Sequence, residues 1–199
     1  MLVNDEKKDV ISKSIQLIAG RVGREYNQRK NRKGAFWEDR YHATAIKNGD
    51  HLIQCMVYID LNMIRAGVVQ HPAQWMFGGY HEIQKPKQRY SPINRQRLSE
   101  LLGIKNSQLS EYHYKRIDER IKSSSNKRDR KWTESIAVGD KDFVLKIKAK
   151  LGANGIGRKA FENNSGYELK ETQESYTRLF TSENDRLRQN NTYFWDVLP

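Results

Sequence analysis

Apolar residues in the first part of the chain recur with a helical period. Ile11, Ile15, Ile18, Val22 and Tyr26 share one face between Val10 and Tyr26, with Arg21 and Arg24 off it. Gly20 and Gly23 weaken this helix but let another segment approach it closely. The next run, Gln28 to Gly34, has no apolar residue and reads as a basic loop. From Ala35 to Ile46, aromatic and β-branched residues mix with charges, which predicts one strand. Asn48-Gly49-Asp50 then turns the chain and supplies a helix N-cap. The helix that follows, His51 to Arg65, is closed by Gly67. Leu52, Ile53, Cys55, Met56, Val57, Ile59, Leu61, Met63 and Ile64 make most of its circumference apolar, so it is expected to be buried.

The pattern loosens further on. Trp75-Met76-Phe77-Gly78-Gly79-Tyr80 is rich in turn residues, and its aromatics are expected to pack back over the buried helix. Pro86 and Pro92 bracket a basic connector, where a boundary is placed. Ser91 to Ile121 predicts two or three helices broken at Gly103, and Ser123 to Lys131 a solvated basic linker. Trp132 to Gly139 reads as a short extended piece, Lys141 to Leu151 as a helix, and Leu169 to Phe180 as another. Tyr193-Phe194-Trp195 is read as docking on the body or forming a sticky tail. The expected fold is therefore α+β and mostly helical. Its units are 1–90, then a helical 91–122, then a basic linker and helical region over 123–199.

Composition narrows the partners. Of 199 residues, 37% are hydrophobic and 30% charged, so the core is modest and the charged surface large. A net charge of +12 makes a polyanion the default partner, because Lys and Arg gain affinity by displacing counterions from phosphate backbones. Nucleic acid leads, and a membrane is not expected, since no run of about 18 apolar residues exists. The charged start MLVNDEKKDV is unlike a secretory signal, which points to the cytoplasm. Cys55 is the only cysteine, so it has no disulfide or Cys-x-x-Cys partner and reads as a buried small hydrophobe.

One polar line crosses the apolar helix. His51, Gln54, Tyr58, Asn62 and Arg65 lie three or four residues apart and so share a face. The stripe has two readings. In one it simply faces water, with the Tyr58 hydroxyl as the wet tip of an amphipathic ring. In the other it is a site: a tyrosine nucleophile or acid, an amide one turn on for a ligand or metal-bound water, and an arginine for phosphate.

A longer pattern surrounds the stripe. Gly34-Ala35-Phe36-Trp37-Glu38-Asp39-Arg40-Tyr41-His42 is followed by YIDLNMIRAG (58–67), then Val68-Val69-Gln70-His71-Pro72 and Trp75 to Tyr80. Over about residues 11–90 this resembles the single-tyrosine transposases of insertion sequences, the His-hydrophobe-His superfamily. Within it the REP-associated tyrosine transposase branch is closest. That branch carries a Tyr-Ile-x-x-Asn-Pro-x-Arg-Ala-Gly helix and a Trp-Ser-Ser-Tyr-like turn. The resemblance implies the helix-strand-helix C-terminal part of a ferredoxin-like catalytic domain in a bacterial, nucleoid-associated protein of DNA transposition and recombination. It implies that Tyr58 attacks a DNA phosphodiester, in single-stranded or hairpin DNA, and forms a 5′-phosphotyrosine link. Asn62 matches the amide that assists a histidine pair in holding Mg or Mn. Arg65, with Arg29, Lys30, Arg32, Lys33 and Arg40, would contact the DNA backbone.

Two departures qualify that expectation. Met63 stands where the family has proline, which is expected to leave the helix straighter. The histidines are His42, His51, His71, His81 and His113, and no two are spaced by one residue, so the His-x-His metal motif is absent. The expectation is a transposase-type chain lacking the first half of the catalytic domain and inactive alone, its lone strand short of partners.

An alternative is a non-catalytic DNA-binding protein. Arg95 to Ile104 and Ser107 to Tyr112 resemble a helix-turn-helix whose second helix carries Lys115 and Arg116, or else an ordinary helical hairpin. Between Lys85 and Lys131 fourteen Lys or Arg face five Asp or Glu, which favours phosphate contact. Ser135 and Glu134 lack an activating His or Lys, so Trp132 to Gly139 reads as packing. Gly152 to Arg158 lacks the Lys-Ser/Thr ending of a phosphate loop and reads as a flexible basic loop.

Overall fold

The computed structural model describes residues 2–3, 10–37, 41–88, 90–123 and 127–171. It is an α+β fold, mostly helical, with one mixed four-stranded sheet. No described helix is long and apolar enough to cross a membrane.

Helix α1 (Val10–Arg29) forms as its periodicity predicts, but Gly23 is its only buried residue. The chain then returns along it. Phe36 lies over Gly23, where an added Cβ would sit 3.3 Å from the Phe36 Cβ, and its ring meets Tyr26 at 4.6 Å. The Trp37 indole donates to the Ala19 carbonyl at 3.0 Å. Ala35 to Ile46 is therefore not one strand. Its first part caps a helix through aromatic side chains, and of its described residues only β1 (Ala45–Ile46) joins a sheet.

That short strand is not alone. β1 runs parallel to β2 (Ala137–Gly139), pairing Ala45 with Ala137 and Ile46 with Val138. β2 then pairs antiparallel with β4 (Gly166–Glu171), and β4 with β3 (Arg158–Asn163), giving the order β1-β2-β4-β3. The expected shortage of strand partners is thus met by the C-terminal half of the chain. Residues 169–171 belong to β4, not to the expected helix Leu169 to Phe180; the remainder of that segment, like Tyr193-Phe194-Trp195, lies outside the described residues. The expected loop at Gly152 to Arg158 is a 3-10 turn (Gly152–Gly155) that leads into β3. Helix α8 (Lys141–Lys150) covers the sheet, and Ala137, Val144 and Leu169 form a small core there with Phe143, Ile147 and Tyr167. Asp140 caps α8 by accepting from the Phe143 N–H at 2.9 Å.

The larger core is helical. α2 (Asp50–Asp60) and the single turn α3 (Asn62–Arg65) occupy the span predicted as one helix, and the left-handed Gly67 closes it. The two helices are separated at Leu61 (φ −78°, ψ 2°), two residues before Met63, although the Leu61 N–H still donates to the Val57 carbonyl and the Arg65 N–H to the Leu61 carbonyl, each at 3.0 Å. Gly49, not a side chain, stands at the N-cap, and its N–H donates to the Leu101 carbonyl at 2.9 Å. Leu52, Ile53, Met56, Val57 and Leu61 pack with Tyr80 and Ile83 of α4 (Tyr80–Gln84), Leu102 of α5 (Arg95–Leu102), and Leu109 and Ile117 of α6 (Leu109–Lys122). Residues on both sides of position 90 therefore share this core. Gly103, left-handed at φ 69°, turns α5 toward α6 as predicted.

The aromatic turn packs differently from expectation. Tyr80 is buried, but Met76 and Phe77 are 74% and 79% exposed, and Phe77 leans on Trp75 rather than on α2. Beneath α2, His113 is fully buried. Its Nε2 lies 2.9 Å from the Asp60 carboxylate, and its Nδ1 accepts from the Gln84 amide at 3.1 Å. Burial pushes the Cys55 thiol, also buried, up to about 11, which makes it an inert packing group.

Candidate functional site

The polar stripe of α2 and α3 opens onto a cleft of about 890 Å³. One wall is the stripe: His51, Gln54, Tyr58 and Arg65. The second is α6, through Arg116, Glu119 and Arg120. The third comes from Lys127, Asp129, Lys131 and Trp132, with Asn164 and Ser165 of the β3–β4 turn. The cleft lies where the helical core meets the sheet, and the β1–β2 pairing brings the third wall to Tyr58.

Arg65 is the most committed cation. Its guanidinium carbon sits 3.9 Å from the Tyr58 ring centroid, and one of its nitrogens donates to the Tyr58 carbonyl at 2.6 Å and to Asn62 Oδ1 at 3.3 Å. Burial pulls its pKa down from the usual arginine range, with Tyr58 opposing. Arg65 therefore fixes the ring rather than standing free for phosphate. The Tyr58 hydroxyl has no hydrogen-bond partner among the described residues. Trp132 faces it, with ring centroids 6.3 Å apart and planes at 39°.

The other cations differ in how freely they stand. Lys131 lies 4.8 Å over the Trp132 ring and donates to Ser165 Oγ at 2.8 Å, with Asp129 at 3.1 Å. Arg116 is shared among Asp50 (3.7 Å), Glu119 (3.6 Å) and the Tyr112 hydroxyl (3.3 Å); the hydroxyl contact, first among these, holds its pKa above the usual value. Arg120 and Lys127 line the cleft with no ion pair or side-chain hydrogen bond among the described residues. No family model, curated protein or solved structure matches the chain.

The structure thus gathers Tyr58, Arg65 and Arg116 in one place. Asn62 is exposed and touches the site only through Arg65. Lys115 is exposed on α6 and does not line the cleft. Arg29, Lys30, Arg32 and Lys33 sit at the end of α1 and in the loop after it, also away from the lining, with Arg29 paired to Glu25 and Arg32 donating to the Ala35 carbonyl at 3.0 Å. Arg40 lies outside the described residues. Trp132, Lys131, Arg120 and Lys127 were not singled out from the sequence. Arg120, Lys127 and Lys131 fall within the basic span from Lys85 to Lys131 read for phosphate contact, but only as members of it, while Trp132 lies in the segment read as packing.

The histidines do not form a metal site. His42 Nε2 donates to the Ser135 carbonyl and His51 Nε2 to the Ser165 carbonyl, each at 3.0 Å. His71 Nδ1 accepts from the Ala73 N–H at 3.1 Å, and His113 is closed in by Asp60 and Gln84. Among the described residues no three His, Cys, Asp or Glu side chains group so as to hold a metal ion, so the residues do not fit the Mg or Mn that the resemblance implies. Ser135 is not exposed either: its hydroxyl donates to the buried Glu168 carboxylate at 2.7 Å.

Proposed function

We propose that this chain is a transposase-like DNA-binding protein of the single-strand cutting and joining type, which holds single-stranded or hairpin DNA in the Tyr58 cleft and does not cut it as a lone chain. The chain order α1, β1, α2 agrees with the helix-strand-helix that the resemblance over residues 11–90 implies for the C-terminal part of a ferredoxin-like transposase domain, and that resemblance supports the reading. One observation carries the reading. Tyr58 sits half-buried in a cleft that also holds Arg65, Arg116, Arg120, Lys127, Lys131 and Trp132. A tyrosine hydroxyl without a hydrogen-bond partner among the described residues, among cations and beside a second aromatic, is suited to a phosphodiester with its bases unstacked.

The residues also account for the lack of cutting. Attack by a tyrosine needs the scissile phosphate polarised, and the family's divalent ion has no donor set among the described residues. Arg65, the closest cation to the ring, is engaged with Tyr58 and Asn62.

The test pairs binding with chemistry. Fluorescence anisotropy is expected to show salt-sensitive binding of a labelled DNA hairpin and a single strand, both tighter than a duplex of equal length. Incubation with Mn²⁺ and the hairpin, followed by a denaturing gel, is expected to show no protein-DNA adduct. An adduct that Tyr58→Phe abolishes would overturn the inactive assignment, and absence of binding at low salt would overturn the whole reading. The helix-turn-helix alternative predicts the reverse preference, for duplex. It has less support, because α6 buries Leu109, His113 and Ile117 and turns Arg116 and Arg120 into the cleft.

A further inference from the structure

Trp132 is carried on a single helical turn, α7 (Lys131–Glu134), placed immediately before β2. Lys131 packs over its ring, is tethered by Ser165 and Asp129, and so holds the indole against the cleft rather than leaving it to turn freely. The Tyr58 and Trp132 rings make a wedge at 39° with centroids 6.3 Å apart. Stacked bases repeat at roughly 3.4 Å, and a base between two rings needs about twice that, so a slight opening admits one. Of the five cations that line the cleft, Arg65, Arg116 and Lys131 are held by neighbours as described above. Arg120 and Lys127 are the two that have no such partner among the described residues.

An aromatic face and two uncommitted cations in one cleft match the parts of one nucleotide step in a single strand: a base to stack and phosphates on either side. A duplex offers the phosphates but keeps its bases stacked on each other, so the aromatic would be unused. We infer that Trp132 is the base-stacking residue of this cleft, with Arg120 and Lys127 taking the flanking phosphates, an inference that rests on the DNA-binding reading above. It places the determinant of strand preference in the third wall, outside the tyrosine helix. Free nucleotides share the same chemistry, so the strand and the mononucleotide are separated by experiment.

The probes are a fluorescein-labelled decathymidylate, a duplex of equal length and thymidine monophosphate, with the full chain throughout. Trp132→Ala is expected to weaken decathymidylate binding about tenfold, within the range for removing one base-aromatic stack, and to leave duplex binding within about twofold. Trp132→Phe, which keeps a ring and guards against a folding defect, is expected to lose less. Tryptophan emission of the wild type is expected to be quenched by decathymidylate, and that quench to vanish in Trp132→Phe. Arg120→Gln combined with Lys127→Gln is expected to lower the slope of log affinity against log salt by about 1.4, about 0.7 for each phosphate no longer neutralised. Unchanged decathymidylate binding in Trp132→Ala, with the charge variant still weakened, would overturn the stacking role and leave the DNA-binding reading standing. Wild-type binding by all variants would overturn both the stacking role of Trp132 and the phosphate roles of Arg120 and Lys127, whereas absence of binding by the wild type would overturn the DNA-binding reading itself. Thymidine monophosphate binding as tightly as decathymidylate would overturn the strand assignment.

Discussion

Gly166→Ala is expected to destabilise the fold by about 2–6 kcal/mol, far more than its single methyl group suggests. Gly166 opens β4 at φ +136°, a conformation that costs a residue with a side chain about 1–3 kcal/mol. A Cβ there would also lie 2.6 Å from the Gly139 carbonyl oxygen and 2.7 Å from His51 Nε2. Neither neighbour yields readily. Gly139 pairs with Tyr167 in the β2–β4 ladder, and His51 is held by the Ser165 carbonyl. Crowding of this kind adds about 1–3 kcal/mol. Gly103→Ala isolates the conformational part, since Gly103 is also left-handed, at φ +69°, but has nothing within 4 Å of an added Cβ. That variant is expected to lose only about 1–2 kcal/mol. Urea unfolding followed by far-ultraviolet circular dichroism measures both. With slopes of about 1–3 kcal/mol per molar urea, the Gly166→Ala midpoint should fall on the order of 1 M further than that of Gly103→Ala. Equal midpoints for the two variants would refute the close approach of the β3–β4 turn to β2 and His51.

Two further outcomes test other parts of the structure. Ile117→Ala, at a site with no exposed surface between α6 and α2, should cost about 2–5 kcal/mol in the same urea assay, and a loss below about 1 kcal/mol would contradict the packing. The Lys47 ammonium, together with the Phe143 N–H, holds Asp140 below the ordinary aspartate range. Its contribution is therefore full above the unfolded value of about 3.9 and is lost as pH falls through the lower folded value. Melting temperature should accordingly drop more for the wild type than for Asp140→Asn between about pH 5 and pH 2, and equal drops would remove the ion pair from the account.

Where periodicity dominates, the sequence was readable. α2 follows from its apolar run, α5 and α6 from their break at Gly103, and α8 from the pattern after Asp140. The β3–β4 hairpin is hidden in the sequence because Leu169 and its neighbours read on into the residues after them as one helix. Asn163-Asn164-Ser165-Gly166 between two alternating segments was the turn signal that should have ended that helix. Ala35 to Ile46 has strand-like composition, but its aromatics serve α1, and no local rule tells a side chain that pairs in a sheet from one that caps a helix. In the site, Tyr58 and Arg65 were legible because three and four residue spacing fixes a face. Trp132 was not, because it meets Tyr58 only through strand pairing between residues 45–46 and 137–138.

That pairing also makes the two walls of the cleft depend on different parts of the fold. α2 presents Leu52, Ile53, Met56 and Val57 to the helical core and Tyr58 to the cleft, so its position is fixed by burial on one side alone. The opposite wall depends on the smaller core of Ala137, Val144 and Leu169, and on the contacts of Ser165 with His51 and Lys131. The cleft is therefore the seam between two packed units, and its width is set by hydrogen bonds rather than by buried apolar area. Substitutions that loosen the β3–β4 turn should widen the Tyr58–Trp132 wedge before they unfold α2. A fall in single-strand affinity at unchanged helical signal is the order of events this arrangement requires.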